Sequence, residues 1–119
     1  MKKGRKTSGG KYKKARKKKH YENTGQKKIV KLGEDKRKSQ RSRGGSRKTF
    51  HLRAKSINIQ IKGKSKKASI TNVLETPSNR FLARQNILTK GTIVETDAGK
   101  VKITNRPSQE GVVNGVLVE

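Results

Sequence analysis

The stretch Thr49-Phe50-His51-Leu52-Arg53-Ala54-Lys55-Ser56-Ile57-Asn58-Ile59-Gln60-Ile61 decides how this chain folds. Phe50, Leu52 and Ala54 alternate with Thr49, His51 and Arg53, and Ile57, Ile59 and Ile61 alternate with Asn58, Gln60 and Lys62. A side-chain period of two belongs to a strand with one face buried. Two such strands in succession make the C-terminal part of the chain a β structure. On this reading His51 lies on the polar face, solvated or touching phosphate.

Immediately upstream, Arg41-Ser42-Arg43-Gly44-Gly45-Ser46-Arg47-Lys48 joins two kinds of chain. Its glycines allow φ > 0, so the backbone can turn sharply and lie close to another surface. The cations packed around that turn put charge on one spot, where a phosphate backbone is the natural counterpart. Further upstream the sequence is basic and almost coreless. Residues 1–55 hold 23 Lys and Arg against 3 acids, whereas residues 56–119 hold 10 against 5. Such self-repulsion opposes compaction until a polyanion neutralises it.

Of the polyanions, membrane is the weakest fit. A surface helix needs an apolar face opposite its basic one, and Lys11–Glu22 offers only Tyr12, Ala15 and Tyr21. No apolar run approaches the ~20 residues that span a bilayer, and no hydrophobic signal core follows the basic start. The chain is therefore expected to be intracellular. The absence of cysteine excludes a disulfide framework and a thiolate metal site. Nucleic acid is the expected partner. Tyr12 and Tyr21, inside the lysine run, are placed to stack on a base or pack on a sugar. Lys11–Glu22 has the composition to become helical once neutralised, but like charges at i,i+4 keep it from doing so alone.

The island Ile29-Val30-Lys31-Leu32-Gly33 docks the arm on the domain or on its partner, or is a short strand-like segment of no special role. The sequence leaves these open. Glu34–Ser46 reads as a basic, Ser/Gly-rich linker. Downstream, Gly63–Lys67 reads as a turn and Ala68–Glu75 as a third strand. Ser78–Gln85 is expected to form a helical turn with Phe81 and Leu82 inside. Thr92–Thr96 and Lys100–Asn105 make a hairpin across Asp97-Ala98-Gly99, a three-residue loop. Gly111–Glu119 is the last strand, apolar on both faces and so expected to be covered on both. The resulting fold is mainly β: a small barrel of about six strands, residues 48–119, with a long basic N-terminal extension, residues 1–47.

Enzymatic readings fail. Gly44-Gly45-Ser46-Arg47-Lys48-Thr49 has Arg47 where a phosphate-binding loop needs glycine, and a strand follows where a helix should. His20 and His51 have no partner at ligand spacing. Glu75 and Asp97 suit a strand end and a turn. No cofactor, metal or small-molecule substrate is expected.

Four pieces together resemble one family: Ser8-Gly9-Gly10-Lys11 before a basic run; Arg43-Gly44-Gly45-Ser46-Arg47-Lys48; Asn86-Ile87-Leu88-Thr89-Lys90-Gly91-Thr92-Ile93-Val94-Glu95-Thr96; and Arg106-Pro107-Ser108-Gln109-Glu110-Gly111-Val112-Val113-Asn114. In that order they are similar to the small-subunit ribosomal protein of archaea and eukaryotes numbered eight with the "e" suffix, in its short, archaeal form. Ser8 replaces a common Thr of that family and Ser46 a common Asn. The resemblance implies a β-barrel body with extensions that contact small-subunit rRNA, neighbouring small-subunit proteins as further partners, and a cytoplasmic place in that subunit. The alternatives are a ribosome assembly factor of related fold and a basic chromatin-compacting protein.

Candidate RNA contacts in the arm are Arg5, Lys6, Lys11, Tyr12, Lys13, Lys14, Arg16, Lys17, Lys18 and Lys19. In the linker and junction they are Arg37, Arg41, Arg43, Gly44, Gly45, Arg47 and Lys48. On the β domain they are Arg53, Arg80, Arg84, Lys90 and Arg106.

Overall fold

A computed structural model describes residues 4–13, 15–61 and 63–118. Its elements run β1 (Lys31–Leu32), β2 (Lys36–Arg41), β3 (Arg47–Ala54), β4 (Ser56–Ile61), β5 (Lys64–Glu75), α1 (Arg80–Arg84), β6 (Ile93–Thr96), β7 (Gly99–Ile103) and β8 (Asn114–Leu117). The two alternating stretches become β3 and β4 as expected, but they enter different sheets. Strands β4–β8 close a barrel, while β3 is the middle of a three-stranded sheet in the order β1-β3-β2. The barrel thus has five strands rather than about six, because the first expected strand pairs elsewhere.

Barrel closure follows from the meander. Each consecutive pair is antiparallel, so the first and fifth strands of an odd-numbered ring run the same way. They pair in parallel, Ile59 opposite Gly115 and Gln60 opposite Val116. Closure leaves no free edge. The long strand β5 serves β4 with Lys64–Ser69 and β6 with Ile70–Glu75, and irregularities at Ile70/Asn72 and Val73/Glu75 interrupt its register. Such bulges bend a strand shared by two neighbours. The expected turn at Gly63–Lys67 is therefore confined to its start, since Ile61 already pairs with Lys64.

Alternation fills the interior: Ile57 and Ile59, Ile70 and Val73, Val94, Val101 and Ile103, with Val113 leading into β8. Gly115 faces this interior. A Cβ there would overlap Val101 Cγ1 and lie 3.0 Å from Ile57 Cδ1, so the missing side chain is the space those two fill. The other face of the last strand is open. Val112, Val116 and Val118 are exposed, contrary to the reading that both faces are covered. Asp97 and Ala98 alone form the β6–β7 loop, because Thr96 pairs with Gly99.

The small sheet is held to the barrel by the apolar island. Val30 is buried in the barrel's own cluster, with Ala54 and Leu88. Its carbonyl accepts from Leu88 N at 2.8 Å, and Leu32 N donates to Asn86 O at 2.8 Å. The island therefore docks on the domain. Asn86 adopts φ 52° where α1 ends, a left-handed cap that asparagine tolerates. Asn79 starts the helix by accepting from Phe81 N at 3.0 Å. Phe81 itself is 59% exposed, not inside as expected: with five helical residues, only one side packs, and it is taken by Leu82 and Ala83.

Candidate nucleic-acid interface

The stretch expected to be a linker, Glu34–Ser46, supplies β2 instead. Its six residues Lys-Arg-Lys-Ser-Gln-Arg are all exposed and show no apolar alternation. They are a strand because β3 offers an edge, not because of their own pattern. The pairing sets Arg41 opposite Arg47, Ser39 opposite Thr49, Arg37 opposite His51 and Lys36 opposite Arg53, while Lys31 flanks Arg53 from the other side. Strand alternation puts Arg37, Ser39 and Arg41 on one face with His51, Thr49 and Arg47, and the register shift between Lys36 and Arg37 interrupts that alternation at the base. Like charges directly opposite destabilise a sheet. Yet among the described residues the ion pair formed is Arg16–Glu22, so this row of cations has no internal counter-ion.

The Ser42–Ser46 loop closes the β2–β3 hairpin, with Ser42 N donating to Ser46 O at 2.7 Å. Gly44 and Gly45 both take φ 81°, as the glycine pair promised, and a Cβ at either would meet open space. The loop joins two strands rather than releasing a free arm. Arg41, Arg43 and Arg47 crowd the tip, with Lys48 next along β3 opposite Gln40.

At the base of the hairpin Asp35 fixes the angle between sheet and barrel. Its carboxylate accepts from Lys55 N at 2.7 Å, Ser56 N at 3.3 Å and Ser56 Oγ at 2.5 Å. Partial burial pushes this carboxyl up. The Ser56 hydroxyl, the two amides and the field of His51 outweigh it and hold the group below the ordinary range. His51 is fully buried rather than solvated, and its backbone N donates to the carbonyl of Pro107, also buried, at 3.0 Å. Its Nδ1 lies 3.1 Å from Arg53 O.

The described residues between 4 and 29 expose their side chains almost throughout. Thr7–Gly9 form a tight turn, where Gly9 N donates to Lys6 O at 2.9 Å with φ 76° and Arg5 pairs with Lys11. Lys13 and Lys17 through Lys19 stay exposed; Lys14 lies outside the described residues. Arg16 grips Glu22 with both guanidinium nitrogens, and with the Lys19 amide holds that carboxyl below its usual range. Lys6 Nζ stands 5.8 Å from the Tyr12 ring and Lys19 Nζ 5.9 Å from Tyr21, leaving both rings open.

Elsewhere, Arg80 and Arg84 line one concavity beside Glu75 and Asn86, while Lys90 and Arg106 meet in another. Lys28 meets them there. It escaped the sequence reading because its neighbours are distant in the chain: its Nζ lies 3.7 Å from the Phe50 ring centroid and 3.2 Å from Gln40 Oε1. Two basic surfaces thus emerge, an exposed N-terminal segment and a cationic hairpin. Apart from Arg16, which pairs with Glu22, their cations form no ion pair among the described residues and suit phosphate oxygens.

The model of one protein family, described as ribosomal protein S8e, matches residues 1–118. The chain is 50% identical over 107 residues to the small ribosomal subunit protein eS8 of Nanoarchaeum equitans, an alignment that covers 88% of this chain and 84% of that relative. It is 44% identical to the protein of the same name from Pyrobaculum aerophilum, over 97% of this chain and 91% of the relative. The Staphylothermus marinus protein of that name is also 44% identical, over 97% and 92%.

Proposed function

The chain belongs to the ribosomal protein S8e family, and from that premise we propose that it is a structural constituent of the small ribosomal subunit, not an enzyme, and binds small-subunit rRNA. The observation that carries the rRNA reading is the cationic hairpin: exposed Arg and Lys side chains on β2 and at its tip, unpaired with acids among the described residues. Residues 1–47 form the RNA-binding portion, comprising the free basic segment and the β2 side of the hairpin, and residues 48–119 form the body. Phosphate contacts fix its position, and RNA shape rather than base reading gives specificity. Its place is the cytoplasmic small subunit, against rRNA and neighbouring proteins. Among the described residues no helix is long and apolar enough to cross a membrane.

Sedimentation of lysate through a sucrose gradient, with the chain quantified in each particle, tests the reading. One copy per mature small subunit supports it. Confinement to precursor particles would make the chain an assembly factor, and co-purification with DNA a chromatin protein.

A further inference from the structure

A notch on the barrel side lies apart from the β2–β3 hairpin. Four chain segments converge on a notch of about 260 Å³: Lys28 from before β1, Ser78 from before α1, Leu88–Lys90 from before β6, and Arg106 with Ser108 from after β7. Lys90, Arg106 and the hydroxyl residues Ser78, Thr89 and Ser108 line it over Leu88, together with Lys28, whose ammonium is held toward Phe50 and Gln40, and no carboxylate does. We infer that this notch receives a phosphate of an RNA backbone, a reading that rests on the proposed rRNA binding and gives it a location on the body. Ammonium and guanidinium groups only donate, and hydroxyls donate readily, so the lining is matched to an anion's oxygens and to no cation.

The walls are held in place by the fold. Leu88 N donates to Val30 O at 2.8 Å, tying the Thr89 wall to the Lys28 wall. Thr89 Oγ1 lies 2.9 Å from Thr92 Oγ1, and Thr92 is fully buried. The carbonyl of Arg106 accepts from Gln109 N and Glu110 N, both at 3.0 Å, while buried Pro107 anchors the same turn on β3. The site is therefore built from rigid segments rather than from loose lysines.

The notch also has an exit. Lys28 and Ser108 line a second furrow of about 670 Å³ that continues to Lys48 in the hairpin. Glu110, which also lines this furrow, accepts from Asn105 Nδ2 at 2.8 Å. A chain of phosphates can enter at Lys90 and Arg106, pass Lys28 and reach the cationic hairpin. A free phosphate would use the notch alone. This continuity favours the polymer.

The test is filter binding of the full-length chain to a small-subunit rRNA transcript across a KCl series. Lys90→Ala/Arg106→Ala should lower the slope of log K against log[KCl] by about 1 and weaken binding about tenfold. Ser108→Ala should weaken binding severalfold at unchanged slope. The control is Lys64→Ala/Lys66→Ala, two exposed β5 lysines that line no part of the notch. Equal effects from the control would overturn the site while leaving rRNA binding intact. If wild type shows no salt-dependent binding to the transcript, the rRNA reading and this site fall together. In a second arm, amide shifts are followed during titration with inorganic phosphate. Saturation near Lys90 and Arg106 below millimolar phosphate, with RNA binding of the double variant unchanged, would make the notch a free-phosphate site and overturn the inference. The thermal midpoint of each variant should match wild type, since both cations are exposed.

Discussion

Residues 4–29 and residues 56–118 obey opposite rules. In the first, side chains alternate with nothing: Tyr12 is 53% and Tyr21 76% exposed, and the radius of gyration of the whole, 20.5 Å, far exceeds the about 14 Å expected of a compact chain this long. In the second, the inward-facing residues of β4–β8 are withdrawn into a closed ring, and Ile59, Val94 and Val101 have no exposure at all. The boundary is Val30, the first buried side chain. The contrast teaches that a basic segment and a folded body divide the work. One supplies charge that cannot be packed, and the other supplies rigid positions for the charges it does carry.

Four experiments bear on that contrast. The largest effect should come from deleting residues 1–25, which carry eleven Lys and Arg. If each meets one rRNA phosphate, the salt slope should fall by roughly 8, while the thermal midpoint stays put. Deleting residues 1–35 removes Val30, Leu32 and Asp35 as well, and should lower the midpoint too. Equal midpoints for the two deletions would move the boundary downstream of Val30.

Next come paired core and surface substitutions. Ile59→Ala should cost about 2–5 kcal/mol of stability, and Gly115→Ala about 1–3 kcal/mol by overpacking against Val101 and Ile57. Tyr21→Ala and Phe81→Ser should leave thermal unfolding unchanged, since both rings are exposed. A destabilised Phe81→Ser would mean that the helix packs its ring after all.

Asp35→Asn addresses the hinge between sheet and barrel. The charged hydrogen bonds it weakens should cost about 1–3 kcal/mol at neutral pH. Because the folded carboxyl sits below its ordinary value of 3.8, its contribution is present above that value and is lost as pH falls through the folded pKa. Acid unfolding should therefore show less difference between variant and wild type well below that ordinary value than at neutral pH. A constant difference down to the lowest pH would assign the effect to packing.

The smallest effect is expected at the hairpin tip. With φ 81° at both positions, Gly44→Ala or Gly45→Ala should each cost about 1 kcal/mol, and asparagine, which tolerates that region, less. The double alanine variant should bind rRNA more weakly than a single charge removal such as Lys17→Ala. Wild-type binding by the double variant would reduce the loop to a connector.

The sequence by itself determined the β character of residues 49–61, the interior positions of Ile57 and Ile59, the exposure of the lysine run and the left-handed glycines at 44 and 45. Each rests on a local rule: side-chain period, charge density, or the absence of a Cβ. Only the tertiary structure decided which sheet each strand joined, and hence that the barrel has five strands. Strand β2 was invisible because an all-polar segment is recruited by a neighbour's free edge, not by its own pattern. His51 was misread and Phe81 with it. Alternation tells which side chains share a face, but what covers that face comes from elsewhere in the chain: His51 is buried and Phe81 exposed. Lys28, Lys90 and Arg106 line one notch for the same reason: their proximity is a property of the folded barrel, and no spacing along the chain encodes it.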